Sequence, residues 1–113
     1  MRMSTSEQGG IRILAFEGAL TIGDNADAFE EACHSALDGA GHGLVLDFTG
    51  LTYLDSAGVG TVVGCAKQGG EQGTVVKIVL KPGGAARRIF KVTQLERAFE
   101  LFDDVALAVS SFA

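Results

Sequence analysis

The residues best suited to chemistry lie in one short segment, which runs from Leu54 to Gly64. It combines a carboxylate, Asp55, with a hydroxyl, Ser56, at the start of a predicted helix. A serine at a helix start usually caps it by accepting a hydrogen bond from a free backbone N–H group. The same hydroxyl can instead receive a phosphate, which adds about −1.5 to −2 charge and is favoured by the positive end of the helix dipole. Both interpretations remain open for Ser56.

The helix predicted after Ser56 contains three glycines, Gly58, Gly60 and Gly64. Each glycine costs about 1 kcal/mol relative to alanine in a helix interior, so another role must favour them. At 100° per residue the predicted sheet-facing side is Val59, Val62, Val63 and Ala66, and the outer side is Ala57, Thr61, Gly64 and Gln68, with Gly60 at the margin. The outer side is small and uncharged, which suits the docking of another polypeptide. Alternatively, the glycines allow close helix-to-sheet or helix-to-helix packing inside the domain; Gly58 could pack on the sheet, whereas Gly64 points away from it.

Two catalytic interpretations of this segment fail on spacing. A dinucleotide-binding loop places its glycines directly after a strand, whereas here about nine residues separate Phe48 from Gly58. A serine hydrolase requires a G-x-S-x-G turn, but Leu54 and Asp55 precede Ser56. We therefore expect neither cofactor binding nor hydrolysis at this position.

The histidines and cysteines do not form a predicted catalytic or metal site. His34 and His42 have no evident carboxylate to orient them as bases. Cys33 and Cys65 lack the spacing of zinc ligands or of a redox pair, so they are predicted to be buried, reduced thiols. The sequence predicts a protein that is no enzyme and holds no metal or cofactor.

Extended and helical patterns alternate along the chain and must position the segment. Residues Ile11, Ile13 and Ala15 share one face of a predicted strand, and Leu14 and Phe16 share the other. Strands alternating with helices favour an α/β layer fold. The predicted elements are a strand over Ile11–Leu20, a helix capped by Asp24 or Asn25 and ending near Leu37, a strand over Leu44–Phe48, a helix over Ser56–Gln68, a strand over Val75–Leu80, a basic helix after Pro82-Gly83-Gly84, a short strand over Phe99–Phe102 and a last helix after Asp103.

Composition excludes several classes of function. The chain has 113 residues, of which 47% are apolar, and this predicts one compact domain. The net charge of −5 disfavours binding to nucleic acid or to an anionic membrane surface. No stretch approaches the ~18 apolar residues that membrane insertion requires, and the polar opening is unlike a secretory signal, so we expect a cytoplasmic protein. Residues 1–10 are predicted to be a flexible lead-in to a domain over residues 11–113.

The segment Leu54-Asp55-Ser56-Ala57-Gly58-Val59-Gly60, following Leu44-Val45-Leu46-Asp47-Phe48, resembles the signature of the STAS family. Within that family it is similar to the bacterial anti-sigma factor antagonists, and the resemblance spans roughly residues 11–111. It implies a single STAS-like α/β domain. The expected fold has a small mixed or parallel sheet of about four to five strands, with about four helices packed mainly on one side.

The resemblance also implies a switch. In such proteins the unphosphorylated antagonist binds an anti-sigma factor that is also a serine kinase, and so releases a sigma factor; phosphorylation breaks the complex and a serine phosphatase restores it. By position in the motif, Ser56 is the implied phosphoacceptor. The implied partner-binding residues are Asp55, Ala57, Gly58, Gly60, Thr61 and Gly64, with Thr21 and Asp24 from the preceding loop. The alternative is a STAS domain without a switch, built into a larger assembly such as a lipid-transport ATPase complex or a stress-sensing complex.

One departure from the family pattern concerns the loop after the first predicted strand. Family members often carry acidic residues where this chain has Ala19 and Thr21. Asp24 is the nearest carboxylate that could replace them. The loop therefore offers a partner a different surface from the one that the resemblance implies.

Overall fold

Five strands and four helices follow one another along the chain in the computed structural model, which describes residues 1–113. The strands are β1 (Arg2–Gln8), β2 (Ile11–Leu20), β3 (Gly43–Leu54), β4 (Val75–Val79) and β5 (Leu101–Phe102). The helices are α1 (Asp24–Leu37), α2 (Ser56–Glu71), α3 (Ala85–Val92) and α4 (Val105–Ser110), and a 3-10 turn at Leu95–Arg97 precedes β5. The predicted single α/β domain is confirmed.

The strands form one mixed sheet in the order β1-β2-β3-β4-β5. β1 runs antiparallel to β2, and the other neighbouring pairs are parallel. Parallel neighbours bring their carboxyl ends to the same edge of a sheet, so the loops that follow β2 and β3 lie side by side. That edge carries the segment singled out in the sequence.

Alternating residues of β2 divide the core between the two faces of the sheet. Leu14 and Phe16 belong to the larger buried cluster, which β2 to β4 share with α1, α2 and α3. Ile11 and Ile13 belong to a smaller cluster that is covered by α4. Strands that are buried on both faces read as continuous apolar runs, which explains the patterns of β3 and β4. The expectation that the helices pack mainly on one side is confirmed, with α4 as the exception.

The N-terminal residues differ from the prediction. Residues 1–10, predicted to be a flexible lead-in, instead form β1 and a turn, and β1 pairs with β2 from Arg2↔Glu17 to Gln8↔Ile11. Both turn glycines have positive φ, 59° at Gly9 and 79° at Gly10, as a tight two-residue hairpin requires. β1 buries almost no side chain, so it carries no apolar alternation from which the strand could be predicted.

Helix α2 packs on the core along most of the predicted stripe, but Val63 lies outside it. Val63, predicted to face the sheet, is 43% exposed, whereas the other three predicted inward residues are buried or half-buried. The buried residues of α2 are Gly58, Val62, Cys65 and Gly69. Two of them are glycines that allow close approach of the backbone, so the inward face of this helix combines backbone proximity with the buried side chains of Val62 and Cys65.

Candidate functional site

The candidate site forms where the carboxyl ends of β2 and β3 meet. Leu20 and Leu54 are register partners at that edge, and the Asp55 N–H donates to the Leu20 carbonyl at 3.3 Å. The loop over residues 21–23 and the first turn of α2 are thereby brought together. Residues 33 positions apart in sequence then share one surface.

Asp55 joins these two segments with a single carboxylate. Its Oδ1 accepts from the Gly58 N–H at 2.9 Å and its Oδ2 accepts from the Ile22 N–H at 2.9 Å. These hydrogen bonds, that from Ile22 first and that from Gly58 second, lower the pKa of Asp55. Asp55 is therefore the N-cap of α2 and a fixed negative charge at the site.

Ser56 does not cap the helix. It is the first residue of α2, with an exposed side chain, and the orphan N–H of Gly58 is already satisfied by Asp55. The capping interpretation of Ser56 is thus wrong, because the preceding carboxylate takes that role. The Ser56 hydroxyl faces solvent at the positive end of a sixteen-residue helix.

The three glycines of the segment have different surroundings. Gly58 is buried, and a Cβ atom there would collide with the Leu20 backbone carbonyl and approach the Leu54 side chain to 3.0 Å. A Cβ atom at Gly60 or Gly64 would meet nothing within 4 Å. Gly58, predicted to contact a partner, therefore serves the interior, whereas Gly60 and Gly64 lie open on the outer surface.

Four of the predicted partner-binding residues line one groove between α1 and α2, of about 250 Å³. These residues are Ala57, Gly60, Thr61 and Gly64, and we call the space between them and α1 the small-residue groove. The Thr61 hydroxyl donates to the Gly58 carbonyl at 2.8 Å, so its polar atom is turned to the helix backbone. This side of α2 faces α1 across the groove, with Gly60 and Gly64 exposed and Ala57 and Thr61 half-buried.

The two predicted residues of the preceding loop lie beside the start of α1. Thr21 is half-buried, and Asp24 is exposed as the first residue of the helix. Neither Asp24 nor Asn25 caps α1, because the N-cap is Gly23 and no side chain bonds to the first turn. The Asn25 amide instead donates to the Ala19 carbonyl at 2.8 Å and ties the helix to the end of β2.

A second groove, which sequence reasoning missed, lies between the first turns of α2 and helix α3. Its volume is about 450 Å³, its walls include Tyr53, Val59, Ile89 and Val92, and Ser56 lies at its rim. We call it the apolar groove. Tyr53 is 53% exposed and Val92 is 76% exposed. The sequence did contain a signal for this groove, because Tyr53 of β3 and Val92 of α3 are apolar residues outside the buried faces of their elements.

The other side chains that could carry chemistry lie outside the two grooves or are buried in the core. The His34 Nδ1 atom is 2.7 Å from the Gln68 amide nitrogen. Cys33 and Cys65 are free and buried, as predicted, and their mutual hydrogen bond together with burial raises the pKa of the Cys33 thiol. No group of three or more His, Cys, Asp or Glu side chains is placed to hold a metal ion. None of the helices is both long and apolar enough to span a bilayer.

Comparisons with solved structures reveal close similarity of fold. An anti-sigma factor antagonist from Mycobacterium paratuberculosis has a TM-score of 0.83 and 22% identity, over 97% of this chain and 92% of that chain. An anti-sigma-factor antagonist (STAS) domain protein from Planctomyces limnophilus has a TM-score of 0.80 and 14% identity, over 98% and 97% of the two chains. The Bacillus cell fate determinant SpoIIAA in its phosphorylated form has a TM-score of 0.71 and 17% identity, over 99% and 100%.

Sequence comparison identifies the family. Comparison with curated proteins gave no match. The STAS domain family, however, matches residues 2–108, which include β1, both grooves and the Asp55-Ser56 pair. This chain belongs to the STAS domain family.

Proposed function

We propose that this protein is an anti-sigma factor antagonist whose activity is switched at Ser56. Its unphosphorylated form binds an anti-sigma factor that is also a serine kinase, and binding releases the sigma factor. The observation that carries the proposal is the exposed Ser56 hydroxyl, which Asp55 has relieved of any capping role. The similar fold of anti-sigma factor antagonists, one of them solved in a phosphorylated form, supports it.

The position of Ser56 explains how a phosphate would end binding. Ser56 lies at the rim of the apolar groove, and its neighbour Ala57 lines the small-residue groove. A phosphate adds about −1.5 to −2 charge at this position, next to the Asp55 carboxylate. A partner that covers the surface must then bury two adjacent negative charges, which is costly unless both are paired. Release needs no refolding of the domain, and removal of the phosphate by a serine phosphatase restores binding.

Binding variants test the switch. Ser56→Asp should weaken binding to the anti-sigma factor, captured by pull-down from the native host, by at least about tenfold, because the substitution places charge where the partner must exclude water. Ser56→Ala should bind as the wild type does but accept no phosphate when the kinase and ATP are added. Affinities are measured by titration calorimetry, and phosphorylation by mass spectrometry of the intact protein.

The matched control is Ser110→Asp, since Ser110 is an exposed residue of α4, on the opposite face of the sheet. It should leave affinity unchanged. Equal affinity of the Ser56→Asp and Ser56→Ala variants contradicts the switch. Binding to a larger assembly that survives Ser56→Asp, with no phosphate incorporated at Ser56 of the wild type, would favour the alternative, a STAS domain acting as a permanent subunit.

A further inference from the structure

The apolar groove has features that the proposed switch does not use. Its walls come from two helices, α2 and α3, and two of its wall residues, Tyr53 and Val92, are largely exposed. A third exposed apolar side chain, Ile22 at 79%, lies at the same end of the molecule, because its N–H donates to Asp55. Exposed large apolar side chains that line one groove, as Tyr53 and Val92 do, mark interaction sites on protein surfaces.

Helix α3, which forms one wall of this groove, carries charge opposite to that of the whole chain. The chain carries a net charge of −5, whereas α3 contains Arg87, Arg88 and Lys91 and no acidic residue. Arg87 is already paired with Asp103 at 3.0 Å. Arg88 lines the groove, is exposed and forms no ion pair within the chain.

The one carboxylate in the lining, Asp55, forms no ion pair with Arg88. Asp55 uses one oxygen for the Gly58 N–H and the other for the Ile22 N–H. Arg88 therefore remains as a guanidinium with free donors beside an apolar trough. A guanidinium presents a planar fork that suits a carboxylate, which it binds with two parallel hydrogen bonds.

We propose that the apolar groove binds an amphipathic helix of the anti-sigma partner, with a carboxylate on that helix paired to Arg88. A groove between two helices can accept the row of side chains along a third helix. Binding of this kind depends on apolar residues at helical spacing on the bound helix. We assign a carboxylate to the partner helix because Arg88, on the groove wall, has no ion-pair partner within the chain. This inference rests on the proposed function and names the chemistry of its partner.

The arrangement gives Ser56 a second route to control binding. Ser56 and Arg88 line the same groove, so a phosphate on Ser56 lies near the guanidinium that the partner's carboxylate needs. The phosphate both repels that carboxylate and competes with it for Arg88. Phosphorylation should consequently weaken binding of an acidic helix far more than binding of a basic one.

Two synthetic peptides test the assignment directly on the full chain. Each has about 16 residues with leucines at helical spacing; one carries glutamates beside the leucine ridge, and the other carries lysines at the same positions. Binding is followed by amide shifts in two-dimensional NMR spectra. The glutamate peptide should shift Tyr53, Val59, Ile89 and Val92, and it should bind at least about tenfold more tightly than the lysine peptide.

Charge reversal supplies the decisive comparison. Arg88→Glu should weaken the glutamate peptide by at least about tenfold and should strengthen the lysine peptide. The matched control is Arg97→Glu, which makes the same charge change at another exposed, unpaired arginine and should leave both affinities within about twofold of wild type. Circular dichroism confirms that each variant is folded.

Absence of peptide binding, shifts confined to other surfaces, or equal effects of the two arginine variants would each overturn the inference. None of these outcomes bears on whether Ser56 controls binding of the captured anti-sigma factor. Conversely, failure of the Ser56 variants to differ would leave a groove that binds acidic helices but no phosphoswitch. The two proposals therefore fail on separate measurements.

Discussion

At the scale of single residues, Asp55 is the side chain on which the site depends. Its two oxygens hold the first turn of α2 and the loop after β2 in one position, and this leaves Ser56 exposed between two grooves. The order acid-then-serine in the sequence therefore has a structural explanation. The acid caps the helix so that the hydroxyl need not.

Replacing Asp55 with Asn should destabilise the protein in a pH-dependent way. The pKa of Asp55 is lowered from 3.8 by backbone N–H donors, first Ile22 and then Gly58. A lowered folded-state pKa means that the charged carboxylate stabilises the fold above the unfolded-state value, and that this stability is lost as pH falls through the folded-state value. The difference in urea midpoint between wild type and Asp55→Asn should thus be largest near neutral pH and shrink below pH 3.8.

Asp104→Asn serves as the control for this prediction. Asp104 caps α4 by accepting from the Leu107 N–H at 2.8 Å, and it is remote from the loop after β2. The Asp104→Asn variant should leave the NMR amide signal of Ile22 unchanged, whereas the Asp55→Asn variant should shift that signal. An unchanged urea midpoint for Asp55→Asn at neutral pH would show that the carboxylate does not hold the loop.

At the scale of elements, the contact between α2 and the end of β2 depends on one glycine. A Cβ atom at Gly58 would collide with the Leu20 carbonyl, which belongs to the backbone and cannot move aside. The nearby Gly64 sits on the same helix with open space at its Cβ position. Gly58 therefore serves internal packing, whereas Gly64 lies on the open surface, and these are the two roles that the sequence left open for the glycines.

Gly58→Ala should destabilise the domain by about 2 kcal/mol, because overpacking costs roughly 1–3 kcal/mol and exceeds the gain in helix propensity. Gly64→Ala should stabilise it by up to about 1 kcal/mol through helix propensity alone. Chemical denaturation of both variants measures the difference. Equal stability of the two variants would mean that α2 does not approach β2 as closely as described.

The elements also show what the sequence could and could not predict. β2 was predicted at its observed limits, and α1 was predicted with its observed end but a slightly later start, because apolar residues recur along them at the spacing of a strand and of a helix. β1 was missed because it pairs only through its backbone and leaves its side chains in solvent. The inward stripe of α2 was misplaced at Val63 because glycine contacts with neighbouring backbone carry no hydropathy signal.

The sequence indicated the α2 segment of the candidate site but not the apolar groove. Ser56, Gly60 and Gly64 are exposed, and Thr61 is half-buried beside the two glycines in the small-residue groove. The apolar groove could not be predicted, since it forms only when residues of β3, α2 and α3 meet in space. Local patterns report the face of one helix, whereas a groove between helices depends on their packing.

At the scale of the whole molecule, the sheet is closed on its second face by α4 and the last residues of the chain. Lys77 of β4 is buried there, at 7% exposure, with its ammonium 2.8 Å from the Ser111 hydroxyl and 4.2 Å from the centre of the Phe112 ring. Glu100 lies 3.6 Å from the same ammonium. A buried cation is tolerated because each of these groups replaces lost water.

Phe112→Ala should destabilise the molecule by about 2 kcal/mol, since it removes both apolar packing and the ring over the ammonium. Phe112→Leu restores most of the apolar contact and should cost less, about 1 kcal/mol, reflecting loss of the cation–π contact. In a Lys77→Met background the cost of Phe112→Leu should fall further. Thermal unfolding of wild type, Phe112→Leu, Lys77→Met and the double variant measures this coupling, and a cost of Phe112→Leu that is the same in both backgrounds would rule it out.

The hairpin at the start of the chain bears on how the protein can be handled. β1 returns antiparallel to β2, so that Met1 lies beside Gly18, near the carboxyl end of β2. Phe112 packs against Gly43, at the beginning of β3 and thus at the opposite edge of the sheet. An affinity tag or reporter fused ahead of Met1 would emerge next to the loop that carries Ile22 and would crowd any bait experiment, whereas one fused after Ala113 would point away from it.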